Sequence, residues 1–430
     1  VRGELEFVVV NRAIYLPETE FQVALRTSTK LLPLIARKGE FQMKKLATVF
    51  TVFASVAVLA GCSAAPGGES KGNKIDKEIL IGVNEELSGA VAAYGNAEKN
   101  AIELAVDEIN KDGGIDGKKI KLVVKDNKST TDEAASVSSN LTVNSKVVAI
   151  IGPATSGAVK ASIPNVTKAS VPLVTPSGTD DNLTVANGKV NEDIFRSCFQ
   201  DSFQGTILAK YANDTLQSKK AAVFYDNSSD YAAGITEAFN KEYKGEVVVS
   251  EKYQAGDKDF NAQLTSIKSK KFDVLVIPGY YAEAGLIIKQ ARSMGIDTAI
   301  LGPDGFGDPA LAEIAGNENT NNVFFTAHFS SKAAANDKVD TFLKAYKEKY
   351  NEEASQFAAL GYDAVYMVKQ AIEKTEAKTS VDVAKGLAEL KDFEGVTGKI
   401  SIDKNHNPEK SAVIVGLKDG KENSAEIVNP

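Results

Sequence analysis

From Glu78 onward, short runs of β-branched and apolar residues alternate with longer stretches whose apolar positions recur every three or four residues. Ile79-Leu80-Ile81-Gly82-Val83 reads as a strand. Ala97 to Asn110 then sets Ala101, Ile102, Ala105, Val106 and Ile109 on one face of a helix. A turn at Gly113-Gly114-Ile115-Asp116-Gly117 leads to a strand over Ile120–Val124 and a helix over Thr131–Ser145, capped by Thr130 or Thr131. Val147–Ile151 is apolar throughout, as a strand covered on both faces should be, and a helix begins near Ser156 before Val171–Val174. The alternation resumes with strands at Ala221–Tyr225, Val247–Val249, Asp273–Ile277 and Ala299–Leu301, separated by helical stretches around 202–217, 230–244, 258–270 and 282–294.

Strand–helix alternation of this kind predicts parallel sheets with crossover helices, here two doubly wound α/β lobes. The region 336–391 is mostly helical, and Lys399–Ile402 and Ser411–Val415 return as strands. The chain is therefore expected to pass between the lobes near Arg196–Gln200, Ala327–Phe329 and Val396–Gly398. One lobe would hold 78–197 and 329–396, the other 198–328 and 397–430. At 430 residues the chain is longer than one hydrophobic core usually organises, which agrees with two lobes.

The N-terminal part has a different character. Met43-Lys44-Lys45 is followed by the apolar run Leu46–Ala60 and by Leu59-Ala60-Gly61-Cys62. That run is shorter than the ~20 residues a spanning helix needs and fits a signal peptide over 43–61. Leu-Ala-Gly-Cys resembles a bacterial lipobox, which implies a lipid on Cys62, and the Ser-, Gly- and Lys-rich 62–77 reads as a tether. An export signal starts at the initiating residue, and Lys38-Gly39-Glu40 can be encoded by a ribosome-binding sequence ahead of Met43. Residues 1–42 are therefore expected to be untranslated.

Charge and composition narrow the function. The net charge is −7 with no basic stripe, so a nucleic-acid partner is not expected. Cys198 is the one thiol left after Cys62, and a single thiol closes no intrachain bridge; a buried side chain is expected there. No G-x-S-x-G elbow, CxxC or HExxH occurs, and the loop at Gly152 lacks the Lys-Ser/Thr of a phosphate loop. Only His328 and His406 offer imidazoles, and His406, in an Asn-His-Asn-Pro turn, reads as solvated. An enzyme is not expected, and nothing calls for a cofactor or metal.

Ligands of open α/β sheets sit beyond the carboxyl ends of the strands. Gly152-Pro153-Ala154-Thr155-Ser156-Gly157 and Thr175-Pro176-Ser177-Gly178-Thr179 both follow strands and together suggest a cradle for a carboxylate. A helix cap without a ligand accounts for the first loop alone equally well. Leu301-Gly302-Pro303-Asp304-Gly305 places an acid where it could meet an ammonium group, although Asp beside Gly is also common turn chemistry. Tyr94, Tyr231 and Tyr280-Tyr281 recur at the same strand-end edge.

These residues resemble a known family. Leu87-Ser88-Gly89-Ala90 through Tyr94-Gly95, Gly113-Gly114-Ile115, Ile151-Gly152-Pro153, Pro172 to Pro176, Gly279-Tyr280-Tyr281, Gly302-Pro303-Asp304-Gly305, Gly361-Tyr362-Asp363-Ala364 and Phe393 to Gly398 occur in order along 78–430. They are similar to the branched-chain amino acid (Leu/Ile/Val) substrate-binding proteins of ABC importers, with the type I periplasmic-binding-protein fold: two Rossmann-like lobes joined by three hinge crossings. The resemblance implies that Ser156, the backbone of Gly178 and Thr179 and the Thr179 hydroxyl hold a ligand carboxylate, with Ser177 beside them. It implies that Asp304, aided by Tyr231, receives the ammonium, and that Tyr94, Tyr280 and Phe357 line an apolar pocket. Where relatives carry glutamate, Asp304 is shorter by a methylene. The implied protein is a monomer that binds a small amino acid, docks an importer permease and is held at the outer face of the cytoplasmic membrane through Cys62. The family also includes binders of amides and other acids, and the same fold serves sensory ectodomains, which are expected to continue into a spanning helix.

Overall fold

The computed structural model describes residues 72–334 and 336–428. The expected extension 1–42, the signal 43–61, Cys62 and the tether as far as residue 71 lie outside the described residues.

The first lobe is built on five parallel strands, β1 (Ile79–Glu85), β2 (Ile120–Asp126), β3 (Ala149–Ile151), β4 (Leu173–Thr175) and β5 (Ile194–Arg196), in the order β2-β1-β3-β4-β5. The helices α1 (Ala92–Lys111), α2 (Thr131–Ser139) and α3 (Ser156–Ala169) cross between them. The second lobe repeats the order with β6 (Lys220–Asp226), β7 (Glu246–Tyr253), β8 (Val274–Val276), β9 (Ala299–Gly302) and β10 (Val323–Ala327), parallel as β7-β6-β8-β9-β10. Two antiparallel strands, β11 (Ala412–Lys418) and β12 (Lys421–Val428), extend it beside β10. Its helices are α4 (Asp201–Lys210), α5 (Asp230–Glu242), α6 (Asn261–Lys268) and α7 (Tyr281–Ser293). In both lobes strand order reverses beside the first strand, so each has a crevice at the same carboxyl edge.

The helical region comprises α8 (Lys338–Tyr350), α9 (Gln356–Thr375) and α10 (Ser380–Ala388). It returns to the first lobe because Ala364, Val365, Val368 and Ile372 form an apolar stripe on α9, and the stripe packs on Ile81, Val83, Ile102 and Val106. Phe393, Ile400 and Ile402 join the same core, so the chain leaves this lobe later than the expected boundary at 397.

Local details follow the residue types. Thr130, not Thr131, caps α2, its hydroxyl accepting from the Glu133 N–H. The helix predicted from Ala97 starts earlier, at Ala92, which places Tyr94 in its first turn rather than in a loop. Two expectations are corrected. The tether does not run to residue 77: Asn73 donates to the Thr142 and Val147 carbonyls, and Ile75 is buried in the first core. His406 is not solvated; it is 5% exposed, stacks on Phe195 at 4.3 Å and bonds the Ile194 carbonyl through Nδ1. Cys198 is buried, and burial pushes its thiol up to about 12.

Candidate ligand site

The loops singled out in the sequence meet at the facing edges of the lobes. On the first lobe, Ser156 opens α3 directly after β3. Its Oγ accepts the N–H groups of Thr179 (3.2 Å) and Asp180 (3.1 Å), which leaves its own hydroxyl proton to donate. Thr179 is buried, and its hydroxyl lies against the buried Asp201 carboxylate, whose charged form it favours. Ser156 thus keeps its donor capacity unspent, an arrangement that costs free energy unless an acceptor arrives. Gly152 permits the approach of this loop to β1: its φ is +93°, and a Cβ would meet the Asn84 carbonyl at 2.3 Å.

Two of the expected carboxylate contacts are differently employed. The Gly178 N–H is taken by Thr175 Oγ1 at 2.8 Å and the Thr179 N–H by Ser156, so neither amide is free for a ligand. Gly178 serves instead by being small, since a Cβ would lie 2.6 Å from Thr175 Oγ1 and 3.0 Å from Val159. Ser177 points away into the lobe, 2.5 Å from Glu98 Oε1 and 3.0 Å from the Ala154 carbonyl. One hydroxyl proton cannot serve both acceptors, and a protonated Glu98 supplies the second.

Beneath these loops lies a group of acids that the sequence did not single out. Glu86 accepts the N–H groups of Ala154 and Thr155 and the Thr155 hydroxyl, holding the loop before Ser156 from behind. Glu85 and Glu98 are fully buried beside it. Burial first, and then the neighbouring acids, push Glu85 well above the carboxylate range. Burial likewise raises Glu98 to about 8, against the opposing pull of its bonds to Ser177 and Glu85.

On the second lobe, Asp304 begins a short turn after β9 and is 2% exposed. Its Oδ1 accepts the Tyr231 hydroxyl at 2.6 Å, and its Oδ2 lies 3.0 Å from His328 Nε2. Tyr231, in the first turn of α5, also accepts the Gly305 N–H and stacks on Tyr280 with ring centres 4.8 Å apart. Tyr280 stands just before α7. Tyr94 packs against Phe357 at 4.2 Å and meets Tyr280 and Tyr281 edge-on. Tyr94, Tyr231, Tyr280 and Phe357 thus form one aromatic wall drawn from both lobes.

Direct bonds span the lobes. The Tyr94 hydroxyl donates to the Gly305 carbonyl at 2.5 Å and accepts the Tyr281 N–H at 3.2 Å, and Lys160 on α3 pairs with Asp230 on α5. The chain is therefore seen closed. A hydrogen-bonded path also joins the two polar ends: the Asp201 N–H donates to the Thr179 carbonyl, Gln204 Nε2 to Asp201 Oδ1, and the Asp304 N–H to Gln204 Oε1. Gln204, Gln356 and His328 belong to the site but carried no signal beyond their position, since isolated amides and one imidazole match no motif.

Residues 78–422 match the family described as periplasmic binding protein. The chain belongs to the periplasmic binding protein family. A Leu/Ile/Val-binding protein from Rhizobium johnstonii is 32% identical over 75% of this chain and 87% of its own length. Among solved structures, the branched-chain amino acid transporter substrate binding protein LivJ from Streptococcus pneumoniae, in complex with isoleucine, is 50% identical. It superposes with a TM-score of 0.79 over 82% of this chain and 100% of that one. The leucine binding protein LivK from Thermotoga maritima is 33% identical, with a TM-score of 0.77 over 82% of this chain and 99% of its own. The two-lobe architecture and the strand-end site of this periplasmic binding protein accord with that membership.

Proposed function

We propose that the chain is the extracytoplasmic substrate-binding protein of an ABC importer and that it captures leucine, isoleucine or valine by closing its lobes. One observation carries the reading. The unspent hydroxyl of Ser156, with Thr179 bonded to it, on one lobe and the Asp304 carboxylate on the other flank a wall of Tyr94, Tyr280 and Phe357. A zwitterion with an apolar side chain offers the complement: its carboxylate accepts from the hydroxyl, its ammonium meets Asp304, and its aliphatic end packs on the rings. The names of the relatives above support the same ligand class. Ligand bound to one lobe favours the closed form because the other lobe completes its contacts only on closure. The closed form is then the one that docks the permease.

Calorimetric titration of the purified chain with the three amino acids tests the assignment. Saturable binding of at least one is expected, and heat from none of them would refute it. Binding of another small amino acid, amide or carboxylate instead would keep the solute-binding role and change the ligand. We further infer that the mature chain begins at a lipidated Cys62. Intact mass of the native protein is expected to show a diacylated cysteine at the N-terminus; a peptide from within 1–42 or an unmodified Cys62 would overturn this. The reading includes a monomer working without a cofactor.

A further inference from the structure

Asp304 is clamped at every polar atom. Tyr231 and His328 each hold one carboxylate oxygen, Gln204 takes its N–H, and Gln356 Nε2 donates to its carbonyl at 2.7 Å. Gln356 also accepts the His328 N–H at 2.7 Å, so one side chain fixes the backbones of both Asp304 and His328. The His328 ring lies 3.6 Å from that of Phe199, and the His328 and Asp304 side chains are 0% and 3% exposed.

The charge of the imidazole decides what this pair can bind. Nδ1 of His328 is buried without a hydrogen-bond partner. In the neutral Nε2–H tautomer that atom carries only a lone pair, whereas an imidazolium would bury a second N–H with nothing to accept it. Burial acts in the same direction: it pulls the ring down to about 4, against the upward pull of Asp304. The donors on both oxygens are then uncharged, and the pair keeps the full negative charge of Asp304. A carboxylate has about four acceptor positions, so two donors leave room for an incoming ammonium.

We propose that His328 is the positioning residue of the amino-group anchor: a neutral donor that fixes the short Asp304 carboxylate toward the cleft and leaves its charge uncancelled. This rests on Asp304 as the ammonium partner.

Substitution can separate the proton from the ring. His328→Gln keeps an amide N–H near the position of Nε2 and loses the stack on Phe199; His328→Phe keeps the stack and loses the donor. Leucine affinity by calorimetry at pH 7 is expected to stay within about threefold for the Gln variant and to fall about tenfold or more for the Phe variant, as loss of a hydrogen bond to a charged group requires. The reverse order, or a Phe variant that binds like the parent chain, overturns the proposal. Asp304→Asn distinguishes the two layers. Unchanged leucine affinity there removes the anchor itself, whereas loss there with no loss in His328→Phe removes only the role of His328. The chain has two histidines, so 15N NMR of the unsubstituted protein resolves His328 even if a variant fails to fold. A protonated Nε2 with bare Nδ1, with and without leucine, is expected; an imidazolium at pH 7 overturns the proposal.

Discussion

Removing one oxygen from Tyr94 should tilt the balance between open and closed forms. In the closed protein this hydroxyl, on a residue 2% exposed, satisfies the Gly305 carbonyl and the Tyr281 N–H of the opposite lobe. In Tyr94→Phe both backbone groups are buried and unpaired when the lobes close, whereas water satisfies them when the lobes part. Each such group costs ~1–3 kcal/mol, so closure loses at least about 2 kcal/mol. The ring remains, and with it the contacts to Phe357 and Tyr281, so the pocket wall keeps its shape. Because ligand binding is linked to closure, the penalty appears in affinity as a roughly 30-fold weaker Kd for leucine. Calorimetry measures the Kd, and small-angle scattering at saturating leucine checks that the variant still closes. A Kd within about twofold of the parent chain would refute the reasoning, because the bonds across the cleft would then contribute nothing to closure.

The remaining predictions concern the charged groups. Asp304→Ala removes the proposed ammonium partner and should weaken leucine binding by roughly 2–5 kcal/mol in calorimetry; equal affinity would take Asp304 out of the site. Glu98 titrates at about 8 in the folded chain and near 4.3 when unfolded, so between those values the unfolded state holds fewer protons. Stability should therefore fall as pH rises from ~4.3 to ~8 and level off above. Glu98→Gln should remove this slope, gaining about 1.4 kcal/mol per pH unit across the window in urea denaturation, and a gain that does not vary with pH would contradict it. Lys410 ties the first crossing to the segment after the strand Phe393–Gly395 by donating to the Ser197 carbonyl at 3.0 Å and to Thr397 Oγ1 at 2.7 Å. Lys410→Met leaves that carbonyl buried and unpaired and should cost about 1–3 kcal/mol in thermal unfolding; an unchanged midpoint would show that the tie carries no stability.

The strand-end loops were legible in the sequence because topology alone puts them at one edge. Small and hydroxyl residues after an apolar run already mark where a ligand can approach, and Ser156, Thr179, Asp304 and the tyrosines were singled out that way. The direction of each group was not legible. Gly178 and Ser177 sit in the right loop, but Thr175 and Glu98 claim their polar atoms through contacts that only packing creates. The group of Glu85, Glu86 and Glu98 joins the end of β1 to the first turns of α1, and neighbouring acids in a sequence ordinarily read as solvated. His328 was given no role because its partner lies on a different strand-end loop. Among the secondary elements, β10 was not read as a strand, being a short run that only touches the crossing expected at Ala327–Phe329. The edge strand β12, KENSAEIV, is polar on both faces and exposed along most of its length, which leaves no alternation to detect.

The account depends on one ligand being read by both lobes at once. A crystal structure of the protein with isoleucine addresses this most directly. It is expected to show the carboxylate within hydrogen-bond distance of Ser156 Oγ and Thr179 Oγ1, and the ammonium on Asp304. Isoleucine bound elsewhere, or held by one lobe with Asp304 facing only Tyr231 and His328, would contradict it.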